Sequence, residues 1–600
     1  MNSEQATPRG CSESGFDSHD RTRLFYRAWK PTESTSSGVQ RALVFLHRGH
    51  EHSGRFQILV DQFERPQEWA FAWDARGHGY SPGERGDAPD FETLVSDFEY
   101  FIRHIEKTYG IAQDNMCIVA NSVGAVIAAT WLQDYGARVR GVVMAAAAFD
   151  INLYVPLAKP ALRLASCFKP DLVVTSYIRS NMLTHSVQQA QAYDADPLIA
   201  KKISARVLLS LADTAKRVVA EAAAIETPIL MLVADKDYVV NQGPQREYFE
   251  RLSSPKKRYL LIPNCNHAIF YEDRPQARQA IDAAKTFVAE CFAEEVVPTS
   301  RYLAADATSF GAKRYQAMQL GRTGSALNNA FFALQKFMLG RLGKLSNGMA
   351  IGLRHGFDSG ASLDYVYRNQ AGGRWLIGKS IDGGYLGAIG WRGIRQRKVH
   401  LQQALAELIA QLPVEQTVRI LDVAAGGGRY VLETVKRFQD RAIHVTLRDF
   451  EQHNLDQARQ LAQGMHLEQR VDFQCRDAFS TDSYPASEPA VDIAIVSGLF
   501  ELFSDNAQVL RALQGVQAQL KPGGYLIYTN QPWHPQLEMI AKTLSNHRGQ
   551  AWHMRPRPQA EMDALVALVG CRKQSSQVGI AGIFTVSVAQ RDAAVHVLAG

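Results

Sequence analysis

Cysteine is scarce and scattered in this sequence: seven residues in 600 (Cys11, Cys117, Cys167, Cys265, Cys291, Cys475 and Cys571), with no CxxC pair. That spacing excludes a disulfide framework and a zinc knuckle, and reduced thiols are expected. Long hydrophobic runs are also missing, since no stretch approaches the roughly 18 consecutive apolar residues of a membrane span. The opening MNSEQATPRGCSESGFDSHD lacks the charged, apolar and small-residue succession of a secretion signal, so the cytoplasm is the expected compartment. Net charge is small for the length, +6, and argues only weakly for an anionic partner.

What is present is length. One hydrophobic core stops growing at roughly 250 to 300 residues, so a chain of this size divides into domains. From about residue 22 to 295, apolar runs (ALVFLH, AFAWDA, MCIVAN, GVVMAA, PILMLVAD, RYLLIP) alternate with helix-length segments, the pattern of a parallel α/β sheet. A second such succession starts at RILDVAAGGG near Arg419 and runs through HVTLRD, VDFQCRDA, VDIAIVSG and GGYLIYTN. Two α/β domains are expected, over 22–295 and 375–600, with a flexible stretch at 1–21 and a basic linker at 296–374.

That linker is where charge concentrates. From Ala307 to Phe357 stand seven basic residues and no acidic one, and Phe331, Leu334, Met338, Leu342 and Leu345 recur at helical spacing beside Lys336, Arg341 and Lys344. Gly340 and Gly343 each weaken such a helix by about 1 kcal/mol. The pattern fits either a basic amphipathic surface for anionic lipid or a helix packed between domains.

After the strand MCIVA comes NSVGA, which places Ser122 at a sharp strand-to-helix turn flanked by the small residues Ala120 and Gly124. A serine hydroxyl needs an adjacent base that is itself oriented by a carboxylate. His267 in NCNHA follows one later strand; Asp237 in ADKDYVV follows another, with Asp235 as second choice. The stretch HRGHEHSGRF puts His47, His50 and His52 within six residues, yet their spacing fits no recurrent closed zinc pattern, and no metal is expected.

These residues together resemble the monoacylglycerol lipase and lysophospholipase branch of the α/β-hydrolases, whose members carry a loop close to HGxGEHSGRY. His47, Glu51, His52, Ser53, Gly54 and Arg55 match it; WDARGHGYSPGERG and DADPL match two further segments. The resemblance implies a catalytic Ser122–His267–Asp237 triad. It also implies an oxyanion hole from the N–H of Val123 and that of Arg48 or Gly49, and a lid over about 151–200. Arg48 and His50 replace loop glycines of the family, and Ala120 replaces another before the nucleophile.

In the second domain the strand RILDV ends at Asp422 and turns through Gly426, Gly427 and Gly428, where the backbone can pass close beneath a ligand. Asp449 ends the next strand, twenty-one residues after Gly428, and Asp477 with Ala478 ends the third. This succession resembles class I S-adenosylmethionine-dependent methyltransferases. It implies a Rossmann-like fold and S-adenosyl-L-methionine held by the loop from Asp422 through Ala424, Gly426 and Gly428, with Asp449 at the ribose and Asp477 and Ala478 at the adenine. Ser497, counted with the cofactor-binding residues, would with Glu501 and Phe503 also face the methyl acceptor. There is no NPPY-type motif and no RNA-binding module, which argues against nucleic acid. The sequence thus predicts a hydrolase and methyltransferase in one chain, with a small-molecule or lipid ester as substrate, an unidentified methyl acceptor, and peripheral contact with anionic membrane. The rival readings are a membrane-associated binding protein with dead sites and an RNA methyltransferase with an appended hydrolase.

Overall fold

The computed structural model describes residues 8–34, 38–294 and 299–593. The chain divides into two compact units, Met1–Val297 and Pro298–Gly600.

In the first unit the strands are β1 (Cys11–Asp17), β2 (Arg23–Trp29), β3 (Ala42–Leu46), β4 (Trp69–Trp73), β5 (Met116–Asn121) and β6 (Gly141–Ala145). They are followed by a short pair in an insert, β7 (Val173–Thr175) and β8 (Lys202–Ser204), and then by β9 (Ile229–Ala234) and β10 (Lys257–Ile262). The main sheet runs β1-β2-β4-β3-β5-β6-β9-β10, antiparallel through β2 and parallel from β4 onward. Strands β3, β6 and β9 are buried along their whole length, as continuous apolar runs must be when both faces of a parallel sheet are covered. This is the expected α/β-hydrolase fold.

Two boundaries differ from the sequence reading. The stretch expected to be flexible, 1–21, contains β1, which pairs with β2 over seven residues. Only Phe16 of that strand is buried, so it carries no alternating apolar signal. The lid insert between β6 and β9 extends past residue 200 to the β7–β8 pair. Its helix Ala158–Phe168 presents Leu164 and Phe168 to the outside, 64% and 84% exposed.

The second unit has β11 (Val418–Val423), β12 (Ile443–Asp449), β13 (Val471–Cys475), β14 (Val491–Val496), β15 (Leu520–Asn530), β16 (Cys571–Val578) and β17 (Thr585–Arg591). The order β13-β12-β11-β14-β15-β17-β16 is parallel as far as β15, with β17 antiparallel to both neighbours. It is a Rossmann-like sheet ending in an antiparallel strand, the class I methyltransferase arrangement.

The segment 296–374, expected as a linker, belongs to this unit from Pro298 onward. Its polar groups explain why. Asp364 meets Arg429 at 2.5 Å, the Ala305 carbonyl and Ser309 accept from buried Arg555, and Ser346 donates to buried Asp382 at 2.5 Å. Each of these partners lies beyond the supposed linker. The helix Ala326–Leu342 carries the apolar stripe and packs along the helix Leu537–Thr543, leaving Phe331 and Leu334 more than half exposed.

The nucleophile turn depends on close approach. A Cβ on Gly124 would stand 2.8 Å from the His47 carbonyl oxygen and 2.8 Å from Leu46 Cβ, inside van der Waals contact. Gly124→Ala is expected to destabilise the protein by about 1 to 3 kcal/mol, read as a lower urea midpoint. An unchanged midpoint would show that the helix and β3 separate freely.

Candidate active sites

Ser122 sits between β5 and the helix Val123–Asp134 at φ 51°, ψ −110°, a strained position for a residue with a Cβ. Its backbone is held by Ser122 N–H to Ala145 O at 2.9 Å and by Ala148 N–H to Ser122 O at 3.2 Å. The side chain then points at one neighbour: His267 Nε2 lies 2.9 Å from Ser122 Oγ. The other ring nitrogen, Nδ1, is 2.8 Å from Asp237 Oδ2, and Asp237 Oδ1 accepts the N–H groups of Val239 and Val240 at 2.8 and 2.9 Å. Asp235, the second choice, is exposed and faces Asn264 N–H at 3.4 Å. The structure therefore brings together Ser122, His267 and Asp237 and leaves Asp235 out. All three side chains are buried, which strengthens each hydrogen bond.

The histidine-rich loop works as a brace. His47 Nε2 accepts from Ala75 N–H at 3.0 Å while Nδ1 donates to the Arg48 carbonyl at 2.7 Å. His52 Nε2 meets Asp196 of the insert at 2.9 Å, and the His50 carbonyl accepts Ala200 N–H at 3.3 Å. Burial, with Arg48 next in effect, pushes His50 down to about 4. Among the described residues no group of His, Cys, Asp and Glu is placed to hold a metal ion. The two residues that depart from the family loop both have work here. His50 adopts φ 70° and ties the insert; the buried Arg48 guanidinium donates to Glu51 at 2.7 Å and lies over the rings of Tyr193 and Tyr271.

The peptide joining Arg48 to Gly49 turns its carbonyl toward His47 and toward Glu51 N–H. A trans peptide points its N–H the opposite way, so Gly49 N–H faces away from both. Gly49 also packs beside Val123, whose side chain a Cβ on Gly49 would meet at 3.3 Å. Ser122, His267, Gly49 and Val123 line one cavity of about 130 Å³, closed over by Leu153, Ile178 and Leu183 of the insert. Ligand pockets for drug-sized molecules run about 300 to 1,000 Å³, so the cavity as it stands is smaller than such a ligand needs.

In the second unit the loop after β11 has Ala424, Gly426 and Gly428 at φ 57°, 55° and 61°. A Cβ on Gly426 or Gly427 would meet nothing within 4 Å, so the loop borders open space. Asp449 Oδ2 accepts Gly426 N–H at 2.8 Å and Oδ1 accepts from Glu451 and Asn454, which sets the loop against the end of β12. Asp422 is fully buried: Oδ1 accepts from Tyr430 at 2.7 Å, Oδ2 has no partner among the described residues, and burial raises the carboxyl to about 8. Asp477 is exposed with Oδ1 on Phe479 N–H, Ala478 beside it is buried, and Ser497 is half-buried next to Gly498. Phe503 packs edge-on against Phe479 with centroids 4.5 Å apart. Glu501 lines a separate apolar cavity of about 720 Å³, together with Arg397, Gln531 and His534. Those last three carry no spacing signal in the sequence.

A family profile described as "Putative methyltransferase" matches residues 284–591, just over half of the chain. The chain belongs to this family. A second profile, "Serine aminopeptidase, S33", matches residues 37–274. Over 578 residues the chain is 40% identical to "Uncharacterized protein YnbC" of Escherichia coli (strain K12), covering 96% of this chain and 98% of that protein. It is 24% identical over 284 residues to the monoacylglycerol lipase of Mycolicibacterium smegmatis, covering 46% of this chain and 96% of that protein. Among solved structures, the Paleococcus ferrophilus monoacylglycerol lipase aligns with 45% of this chain and 99% of its own at 22% identity and a TM-score of 0.40. The front unit of this methyltransferase-family protein is thus an α/β-hydrolase domain similar to monoglyceride lipases, and the rear unit is a methyltransferase domain.

Two outcomes follow from the geometry. Asp237→Asn should lower kcat on a short acyl ester by about 10⁴-fold, while Asp235→Asn stays within a few-fold; equal effects would reassign the carboxylate. Asp422 has its folded value raised above that of an unfolded carboxyl, so between about pH 4 and 8 the native state holds more protons and stability falls as pH rises. The drop in urea midpoint from pH 5 to pH 8 should be smaller in Asp422→Asn than in wild type, and an equal drop would assign the pH dependence elsewhere.

Proposed function

We propose that the protein is a bifunctional enzyme, a serine carboxylic-ester hydrolase and an S-adenosylmethionine-dependent methyltransferase that act on lipid or lipid-derived molecules. The observation that carries the first activity is the single imidazole of His267 bonded to Ser122 on one side and Asp237 on the other.

In the hydrolytic reaction Ser122 Oγ attacks the ester carbonyl carbon and its proton passes to His267 Nε2. The same nitrogen then protonates the leaving alcohol. Asp237, already holding two backbone N–H groups on Oδ1, keeps Nδ1–H directed at Oδ2 and stabilises the imidazolium. The carbonyl oxygen gains negative charge in the tetrahedral intermediate, and the N–H groups of Val123 and Gly49 receive it; one such donor is worth about 10²- to 10³-fold in kcat. Water, activated by His267, releases the acyl group. Similarity to monoglyceride lipases and the exposed apolar residues of the insert, Leu157, Leu164 and Phe168, support an acyl ester drawn from a lipid surface.

For the methyltransferase activity the residues present fit the cofactor. The loop at Gly426 and Gly427 borders open space that a Cβ would enter, and at the root of that loop Asp422 Oδ2, with no partner among the described residues, leaves a hydrogen-bonding position free. When bound, it supplies a methyl group on sulfur that is electrophilic without further activation. The Asp422–Gly428 loop would hold the methionine end, Asp449 the ribose hydroxyls, and Asp477 with Ala478 the adenine. Methyl transfer is largely a matter of placing the acceptor in line and excluding water.

A fluorophosphonate probe should label the wild-type protein at Ser122 and leave Ser122→Ala unlabelled, with hydrolysis of a monoacylglycerol reduced at least about 10³-fold. Calorimetry should show S-adenosylmethionine binding that Asp449→Ala weakens strongly. A labelled serine other than 122, or undiminished hydrolysis in Ser122→Ala, removes the first activity. Absence of cofactor binding removes the second.

A further inference from the structure

The cavity of about 720 Å³ in the second unit is of the size that holds a drug-sized ligand, and its walls are mostly apolar, including Trp391, Trp552, Phe584 and Met338. At one end polar groups collect. Glu501 is buried, with Oε1 taking Arg397 Nη1 at 2.9 Å and Oε2 without a partner among the described residues. Gln531 is 2% exposed, and neither its amide oxygen nor its amide nitrogen has a partner among the described residues. Burying a polar group without hydrogen bonds is unfavourable by about 1 to 3 kcal/mol on mutational scales; among the described residues Glu501 and Gln531 contribute three such atoms, beside Arg397 Nε, Tyr385 Oη and Trp552 Nε1 in the same lining.

His534 completes the set. Its Nδ1 accepts Gln536 N–H at 3.0 Å, and burial lowers the ring to about 4, so the neutral ring carries its proton on Nε2. Gly390 has no side chain to occupy the space beside that nitrogen, where a Cβ would come within 2.8 Å. Glu501 and Gln531 follow the carboxyl ends of the adjacent parallel strands β14 and β15, and the glycine loop follows β11, the other neighbour of β14. Ligands of open α/β sheets bind at those ends.

The geometry points to an acceptor site for a long-chain amphiphile whose head is a neutral hydroxyl: the hydroxyl donates to Glu501 and accepts from His534 and Gln531, while the chain lies along the tryptophans toward Met338 and Phe331. This rests on the methyltransferase reading and names the class of its acceptor. An ammonium head has no lone pair for the two donors, and a carboxylate head would face the Glu501 carboxylate. A hydroxyl serves both. The far wall is formed by the helix Ala326–Leu342, whose Phe331 is 56% exposed, so the chain has an apolar way out. As the hydroxyl oxygen forms its bond to the methyl carbon, the carbon–sulfur pair stays on sulfur, the O–H proton moves to Glu501 Oε2, and the product is a methyl ether. Glu501 touches the reacting oxygen in this account; Arg397 positions Glu501.

The test needs no cofactor for its first arm. In the full-length protein, 11-bromoundecan-1-ol should quench the fluorescence of Trp391 and Trp552, and bind at least about tenfold more tightly than 11-bromoundecanoic acid or 11-bromoundecylamine. Trp391→Phe should remove part of the quenching, and Gln531→Leu should weaken alcohol binding about tenfold with an unchanged melting curve. Equal binding of the three heads, or preference for the acid or amine, overturns the assignment. In the second arm, with deuterated-methyl S-adenosylmethionine and 1-dodecanol, mass spectrometry should detect the methyl ether, and Glu501→Gln should lower its formation about 100-fold. N-methyl or methyl-ester products in place of the ether overturn the hydroxyl. Calorimetry separates the two readings: cofactor binding without alcohol binding sinks this inference alone, and no cofactor binding sinks both.

Discussion

A single hydrogen bond joins segments 145 residues apart: His267 Nε2 to Ser122 Oγ at 2.9 Å. The rest of the first unit can be described as what that bond requires. Ser122 must occupy a left-handed turn, which needs the helix behind it to press against β3, which needs glycine at 124. His267 must present the correct ring nitrogen, which needs Asp237 oriented by two backbone N–H groups. A displacement of either end by an ångström would break the bond, because hydrogen bonds weaken steeply outside a narrow range of distance and angle.

In the second unit the corresponding constraint is the N–H of Gly426 held by Asp449. It draws the end of β11 to the end of β12 and leaves the outer side of the loop clear. The same carboxylate is proposed to meet the ribose, so the residue that shapes the loop would also read its ligand. Asp422 is the counterpart in the interior, a carboxyl with one oxygen satisfied by Tyr430 beside a core built mainly from Val, Ile, Leu and Ala.

Much of this was legible in the sequence because its signals are local. Turn glycines, apolar runs and the order serine, aspartate, histidine survive without coordinates. Asp237 stands ahead of Asp235 in the sequence reading, and the structure supplies a reason: the N–H groups of Val239 and Val240 hold its carboxylate. The features that escaped are of two kinds. Strand β1 buries only Phe16, and a strand exposed on nearly every residue carries no period-two pattern. Arg397 and Glu501 meet across 104 residues, and Gln531 and His534 join them only through the curl of the sheet. Contacts of that separation leave no imprint on spacing. The linker was misread for the same reason, since Asp364 and Arg429 are 65 residues apart.

The insert over the hydrolase cavity is fastened at both sides. His52 and the His50 carbonyl hold it on one side, through Asp196 and Ala200. On the other, Leu183 O takes Ala268 N–H, Asn181 O takes Asn266, and Thr184 donates to Tyr271 O. The anchor points are the very loops that carry Gly49 and His267. A swing of the whole flap would therefore drag the machinery out of alignment, so admission of a bulky guest and chemical readiness are separate moments in the cycle unless the outer helix Ala158–Phe168 alone peels back.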